Sequence, residues 1–243
     1  MKGLTFASRV GKEILRDPLN LAFGLGFPVV LMVLFHAIQS NVPVPLSEIG
    51  SVTPGLMVFG LSFMTLFSAT LVSKDRGSAL LQRLYTTPLT PLNFILGYTI
   101  PLLPMALGQT VVCLLTAVLM GLEISVRLVI GAILILPGAL FFIALGLLCG
   151  SVFTDKQVGG ICGALLTNLT AWLSGAWFDL ELVGGAFQRI ANLLPFAHGV
   201  ELERAVLRGD YGGIFPHLYW VLGYMLVTGI CAVLLFLRQM RRQ

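Results

Sequence analysis

The residues best equipped for chemistry sit in one short stretch, SKDRGSALLQRLYTTPLTP, residues 73–91. It places Lys74, Asp75, Arg76 and Arg83 within ten positions, between two long runs with almost no charge. On a helical wheel, Gly77, Leu80, Leu81, Leu84 and Tyr85 share one arc, while Arg76, Ser78, Gln82 and Arg83 fill the other. Pro88 and Pro91 end that helix before the next apolar run. The pattern predicts a short amphipathic helix at a membrane face. It is either an interfacial stitch or a ridge for the groove of a cytoplasmic partner.

The rest of the chain carries little reactive equipment. A phosphate-cradling loop requires GxxxxGK[ST], and the one Gly-Lys pair, Gly11-Lys12, is followed by Glu13. The chain is therefore predicted to bind no nucleotide cofactor itself. His198 and Glu201 are two ligand types without a third, which is weak evidence for a metal. Cys113, Cys149, Cys162 and Cys231 all lie in apolar runs with no CxxC pair, as small core residues do. The apolar runs hold essentially no Asp, Glu, Lys or Arg. They lack the mid-depth titratable groups that ion-coupled carriers use and the acid pairs or nucleophile–base pairs of an intramembrane enzyme. Their remaining polar and aromatic features are Thr65, Thr167, Asn168 and Thr170, with Phe59, Phe63, Phe67, Trp172 and Trp177. Phe59, Phe63, Phe67, Asn168 and Trp172 are the candidate lining of a path for a hydrophobic or amphipathic solute. Ordinary helix packing is the competing reading for each.

The elements that position these residues follow from composition. Of 243 residues, 57% are hydrophobic and 11% charged, roughly half the charge of a soluble domain. This predicts an all-α polytopic membrane protein. Six runs reach span length, at 18–38, 52–73, 92–121, 128–152, 158–177 and 216–237. The third carries Pro101 and Pro104, where a kink or an interfacial first turn is expected. Residues 3–17 form an amphipathic helix predicted to lie flat in the interface, with its basic side toward anionic headgroups. The first apolar run follows this charged segment and is full span length, so no cleavable signal peptide is expected. Residues 178–215 hold two shorter helical patterns split by Pro195, expected as a re-entrant or interfacial hairpin, with Glu201 and Arg204 paired on its surface.

Basic residues orient the spans. With the N-terminus in the cytoplasm, eleven Lys and Arg fall in inner segments and four (Arg127, Arg189, Arg204, Arg208) in outer ones. Six spans then return the C-terminus to the cytoplasm of a cell membrane.

The segment KDRGSALLQRLYTTPLTPLNFILGY resembles the link between the second and third spans of type-2 ABC transporter permeases. LLPFAHGVELERAVLRGDY is similar to that family's outer segment before the last span. The resemblance covers nearly the whole chain, which reads as a single transmembrane domain over 1–243. It implies a bacterial permease without a fused ATPase. Two copies, or two related chains, would pair with two cytoplasmic ATPase subunits that carry ATP and Mg. The 74–91 segment would be the coupling helix, with Asp75, Arg76, Gly77, Leu80, Arg83 and Leu84 at the ATPase. The 3–17 helix would be the connecting helix. Export of a drug, antimicrobial peptide or lipid is the leading implication. Polysaccharide or lipid-linked glycan export is the alternative, and a passive channel or unpowered carrier is the different class. Membrane lipids are expected partners and nucleic acid is not. The spacings Gly146–Gly150 and Gly159–Gly163 permit close helix approach.

Overall fold

The computed structural model describes residues 2–41, 49–78 and 90–240. Leu80, Arg83 and Leu84 therefore lie outside the described residues, as does most of the expected coupling helix. Among the described residues the chain is helical, with no strand. Five helices are long and apolar enough to cross a membrane, and they coincide with the expected first, second, third, fourth and sixth spans.

Helix α1 (Lys2–Leu15) is followed by α2 (Pro18–Asn41). Asp17 caps α2 by accepting from the Asn20 N–H, and Pro18 fills its first turn. A π segment, Ala22–Gly26, interrupts α2 where Gly24 meets Phe67 and Met105. A Cβ on Gly24 would stand 2.6 Å from Met105 Cε and 2.7 Å from the Phe67 ring, so a larger residue would have to displace both side chains. Helix α3 (Ile49–Gly77) is the centre of the molecule and is buried along most of its length. Helix α4 (Pro91–Leu119) starts at the Thr90 cap and continues through Pro101 and Pro104 as one helix.

In the fourth span, helix α5 (Val126–Leu134) joins α6 (Leu136–Val152) through Ile135, which keeps helical dihedrals and donates its N–H to Gly131 O at 2.9 Å. Pro137 explains the position of this junction, because its ring removes one N–H donor and crowds the preceding turn.

The expected fifth span is a composite helix, α7, over residues 155–173. It runs as α-helix (Asp155–Val158), π-helix (Gly159–Leu166) and α-helix again (Thr167–Leu173). It opens on Asp155-Lys156-Gln157 and includes Thr167 and Asn168, so it is more polar than its five companions. Short helices α8 (Leu180–Val183) and α9 (Gly185–Ala191) lead to α10 (Pro195–Arg208), with Pro195 in its first turn as the sequence suggests. Helix α11 (Tyr211–Met240) closes the bundle.

Helices α3 and α6 form the tightest seam. A Cβ on Gly146 would overlap the Thr65 carbonyl oxygen and Ser68 Oγ, and one on Gly150 would lie 2.5 Å from the Ala69 carbonyl oxygen. The close approach lets Thr65 Oγ1 donate to Phe142 O at 2.9 Å and Ser68 Oγ to Ile143 O at 3.1 Å. Gly159, by contrast, faces no atom within 4 Å, and Gly163 meets only Leu66.

The apolar side of helix α1 packs on the bundle. Its faces divide in three. Phe6, Ala7, Val10 and Ile14 are buried. Phe6 lies edge-on to Phe94 and Tyr98 of α4, at 5.7 and 5.0 Å. Gly97 makes the slot, since a Cβ there would overlap the Phe6 ring. Leu4 and Leu15 are left exposed, and Thr5, Ser8, Arg9 and Lys12 form the polar face. Protein rather than lipid covers much of the apolar side, because an aromatic ring in a glycine slot gains contact area that fluid acyl chains do not match.

Candidate transport path and coupling face

At the foot of α3, Asp75 and Arg76 point in different directions, and both find partners within the chain. Asp75 is 4% exposed. It accepts two hydrogen bonds from Arg9 of α1, at 3.0 and 2.9 Å, and one from the Tyr98 hydroxyl of α4 at 2.8 Å. The fork-to-carboxylate geometry fixes direction as well as distance. The hydrogen bond to Asp75, more than its charge, raises the pKa of Arg9 against the opposing effect of burial. One carboxylate thus joins α1, α3 and α4.

Arg76 reaches the end of α6. It donates to the carbonyl oxygens of Ser151, Val152 (3.4 Å) and Phe153 (2.5 Å). The last carbonyls of a helix lack partners and carry partial negative charge, so a guanidinium there satisfies both needs. Ser73, one turn earlier, donates to Asp155 of α7 at 3.3 Å. Gly77 is the last residue of α3 and no side chain crowds it. Asp75 and Arg76 therefore hold the foot of α3 in place.

The path candidates divide into two groups. Phe59, Phe63 and Phe67 recur every fourth residue on α3 and are buried. Phe59 and Phe63 pack edge-on at 5.7 Å, and Phe27 of α2 meets them at 6.2 and 5.7 Å. Phe35 stacks on Trp177 at 5.2 Å, and Trp177 meets Phe59 at 5.3 Å. Asn168 and Trp172 lie on an exposed face of α7, where Asn168 Nδ2 donates to Ala164 O at 2.8 Å. Thr65, Thr167 and Thr170 are buried and bond to backbone carbonyls. Within one copy of the chain, then, the phenylalanine ridge is covered by α2, and the amide and indole face outward.

The outer end is organised by Arg204, which the sequence places on a surface. It is buried, 5% exposed. Its Nη1 pairs with Glu201 at 2.7 Å and lies 3.8 Å from Asp179. Its Nε donates to Ser51 O at 3.2 Å and Nη2 to Gly175 O at 2.8 Å. One guanidinium thus ties α10 to the top of α3 and the loop after α7. It borders a cavity of about 350 Å³ that His36, Gln39 and Asp179 also line.

Beside Arg204, Glu203 has no such support. It is 1% exposed, and neither carboxylate oxygen has a hydrogen-bond partner among the described residues. Gly131 of α5 leaves room for it, since a Cβ there would stand 2.9 Å from Glu203 Oε2. Burial pushes its pKa well above the usual carboxylate range. Because the folded pKa is the higher one, the unfolded chain releases its proton first, and stability falls as pH rises above about 4.5. Glu203→Gln removes that titration. Its melting temperature relative to the parent protein should climb from pH 5 to pH 8. The free-energy gap should widen by at most about 1.4 kcal/mol per pH unit. A gap that stays constant with pH would show that Glu203 does not titrate in this window.

His198 and His217 meet Nδ1 to Nδ1 at 2.9 Å, and His198 Nε2 donates to Asn192 O at 2.9 Å. Burial lowers the pKa of His198. No cluster of three metal-ligating side chains forms among the described residues.

This arrangement has apolar helices sealed to one another and an amphipathic N-terminal helix clasped to the foot of the second span. The family profile described as ABC-2 type transporter matches residues 4–207, spanning α1 through α10. The chain belongs to the ABC-2 type transporter family. It is accordingly an ABC transporter permease, a multi-pass membrane transport domain. Membrane domains of this family associate with ATPase subunits and pair as dimers. No curated protein matches the sequence. The match takes in both regions that carried the resemblance, at 74–98 and 193–211, except for the last few residues of the second.

Proposed function

We propose that the permease is the transmembrane subunit of an ATP-driven exporter that moves a hydrophobic or amphipathic solute (a drug, antimicrobial peptide or lipid) outward. A separate cytoplasmic ATPase, present in two copies with ATP and Mg, powers it, and a second permease copy or related chain completes the path. In this reading α7 is the fifth of six crossings, α8–α10 form the re-entrant outer segment, and both termini are cytoplasmic. The observation that carries the proposal is the clasp at the foot of α3. Asp75 and Arg76 anchor the foot of α3 to α1, α4 and α6, as force transmission from a motor requires.

The coupling surface is then Leu80, Arg83 and Leu84, with Asp75, Arg76 and Gly77 positioning it. Truncating a buried leucine costs about 2–5 kcal/mol, and removing a buried charged partner costs about the same. Leu84→Ala combined with Arg83→Ala should leave a membrane-inserted permease that no longer retains the ATPase or no longer converts hydrolysis into transport. Co-purification and vesicle transport measure the two effects. Normal results in both would reduce the segment to an interfacial stitch, and a parent protein that transports without any ATPase would favour a passive carrier. For orientation, a cysteine at Gln157 should resist an impermeant thiol reagent in intact cells, while one at Gly185 should react.

A further inference from the structure

Helices α1 and α3 do not close on each other along their full length. Between them lies a cavity of about 770 Å³, within the range of small-molecule sites. Its walls differ in character. The floor is apolar, made by Phe67 and Leu71 of α3 and Met105 of α4. The rim is basic, made by Lys12 and Arg16 from the end of α1 and Lys74 from the last turn of α3.

The charges at the rim do not cancel. Arg9 is committed to Asp75 and Glu13. Glu13 is held by Arg9 at 3.2 Å, and Asp17 accepts from the Asn20 N–H at 3.1 Å and from Asn20 Nδ2 at 2.7 Å. Lys12, Arg16 and Lys74 are exposed and form no ion pair among the described residues. Arg9, Lys12, Arg16 and Lys74 thus stand against Glu13, Asp17 and the neighbouring Asp75, a net positive balance, with Lys12, Arg16 and Lys74 outside any described ion pair beside a greasy cleft at the end of a membrane bundle, where phospholipid phosphates lie.

We infer that this cleft is a specific site for one anionic phospholipid, with its phosphate between Lys12, Arg16 and Lys74 and an acyl chain over Phe67, Leu71 and Met105. The occupant follows from the juxtaposition: a soluble anion would leave the apolar floor wet, and a zwitterionic lipid would bring a further cation to a rim whose balance is already positive. The bound lipid splints α1 against α3 beside the Arg9–Asp75 clasp. The inference rests on the membrane placement of the helices and does not depend on the direction or substrate of transport.

The test uses the full chain, purified in a non-ionic detergent and titrated with dioleoyl phosphatidylglycerol or dioleoyl phosphatidylcholine, with bound lipid counted by native mass spectrometry. One phosphatidylglycerol should bind in preference to phosphatidylcholine. A juxtamembrane cation contributes about a fivefold factor in affinity for an anionic lipid. K12Q/R16Q/K74Q should therefore weaken phosphatidylglycerol binding by about a hundredfold while its elution on size exclusion is unchanged. R189Q/R208Q, which removes two exposed cations from the other end of the molecule, should stay within about twofold of the parent protein. Equal binding of the two lipids, or unchanged affinity in the triple variant, would overturn the inference. So would a triple variant that loses no more affinity than R189Q/R208Q. Displacement of the lipid by millimolar inorganic phosphate alone would reassign the site to a free anion.

Discussion

Arg204→Ala should loosen the outer end of the permease and lower its stability by about 1–3 kcal/mol, the usual cost of leaving buried hydrogen-bonding groups without a partner. The guanidinium serves four groups at once. Glu201 and Asp179 are 41% and 71% exposed, so water screens the charges left behind, and most of the cost falls on the carbonyls of Ser51 and Gly175, which lose their side-chain donor. Arg204→Lys should recover little, since an ammonium cannot present a planar fork to two carbonyls and a carboxylate together. Thermal unfolding in detergent measures both variants. A loss below about 1 kcal/mol for the alanine variant would place Arg204 among ordinary surface pairs.

The second large effect is expected at the α3–α6 seam. Gly146→Ala puts a methyl group where the Thr65 carbonyl oxygen and Ser68 Oγ already are, 2.9 Å from Thr65 Cα. Backbone is the obstacle, so the helices must separate, and the Thr65–Phe142 and Ser68–Ile143 hydrogen bonds lengthen with them. Overpacking of this kind costs about 1–3 kcal/mol, and the loss of interhelical hydrogen bonds adds to it. Gly159→Ala is the matched control. No atom stands within 4 Å of its added carbon, and alanine is the better helix former by about 0.5–1 kcal/mol. The two substitutions should move the melting temperature in opposite directions. Equal shifts would mean that neither glycine marks a seam.

Much of the architecture was legible because apolar runs of span length have few other uses. The presence of five spans, the two-part outer segment around Pro195 and the composition of α1 all follow from local pattern, although α3 runs beyond 52–73 at both ends and α11 starts at Tyr211 rather than Pro216. What pattern cannot state is what covers an apolar face. The periodicity of residues 3–17 is the same whether lipid or protein lies opposite, and Phe6 finds the slot at Gly97 only through the tertiary fold. Charged residues pose the same difficulty. Asp75 and Arg76 look solvent-facing in sequence because their partners, Arg9 and the end of α6, are 66 and about 75 residues away. Arg204 likewise shows its local partner Glu201 in sequence and hides its contacts with Ser51 and Gly175. The aromatic ridge at Phe59, Phe63 and Phe67 was readable as a four-residue repeat, but only the fold reveals that α2 covers it. Residues 158–177 were too glycine-rich and too mixed in polarity to reveal a π segment by periodicity.

The cap that Arg76 places on α6 also has a mechanical meaning. Between that cap and the Gly146 contact, α3 and α6 are fastened at the foot and again at mid-height, and both fastenings involve backbone atoms. Two rods joined at two points cannot rotate about either point alone. A push delivered at the foot of α3 would therefore meet two fastenings rather than one hinge, and α3 and α6 would move together as a single lever whose displacement grows toward the outer end.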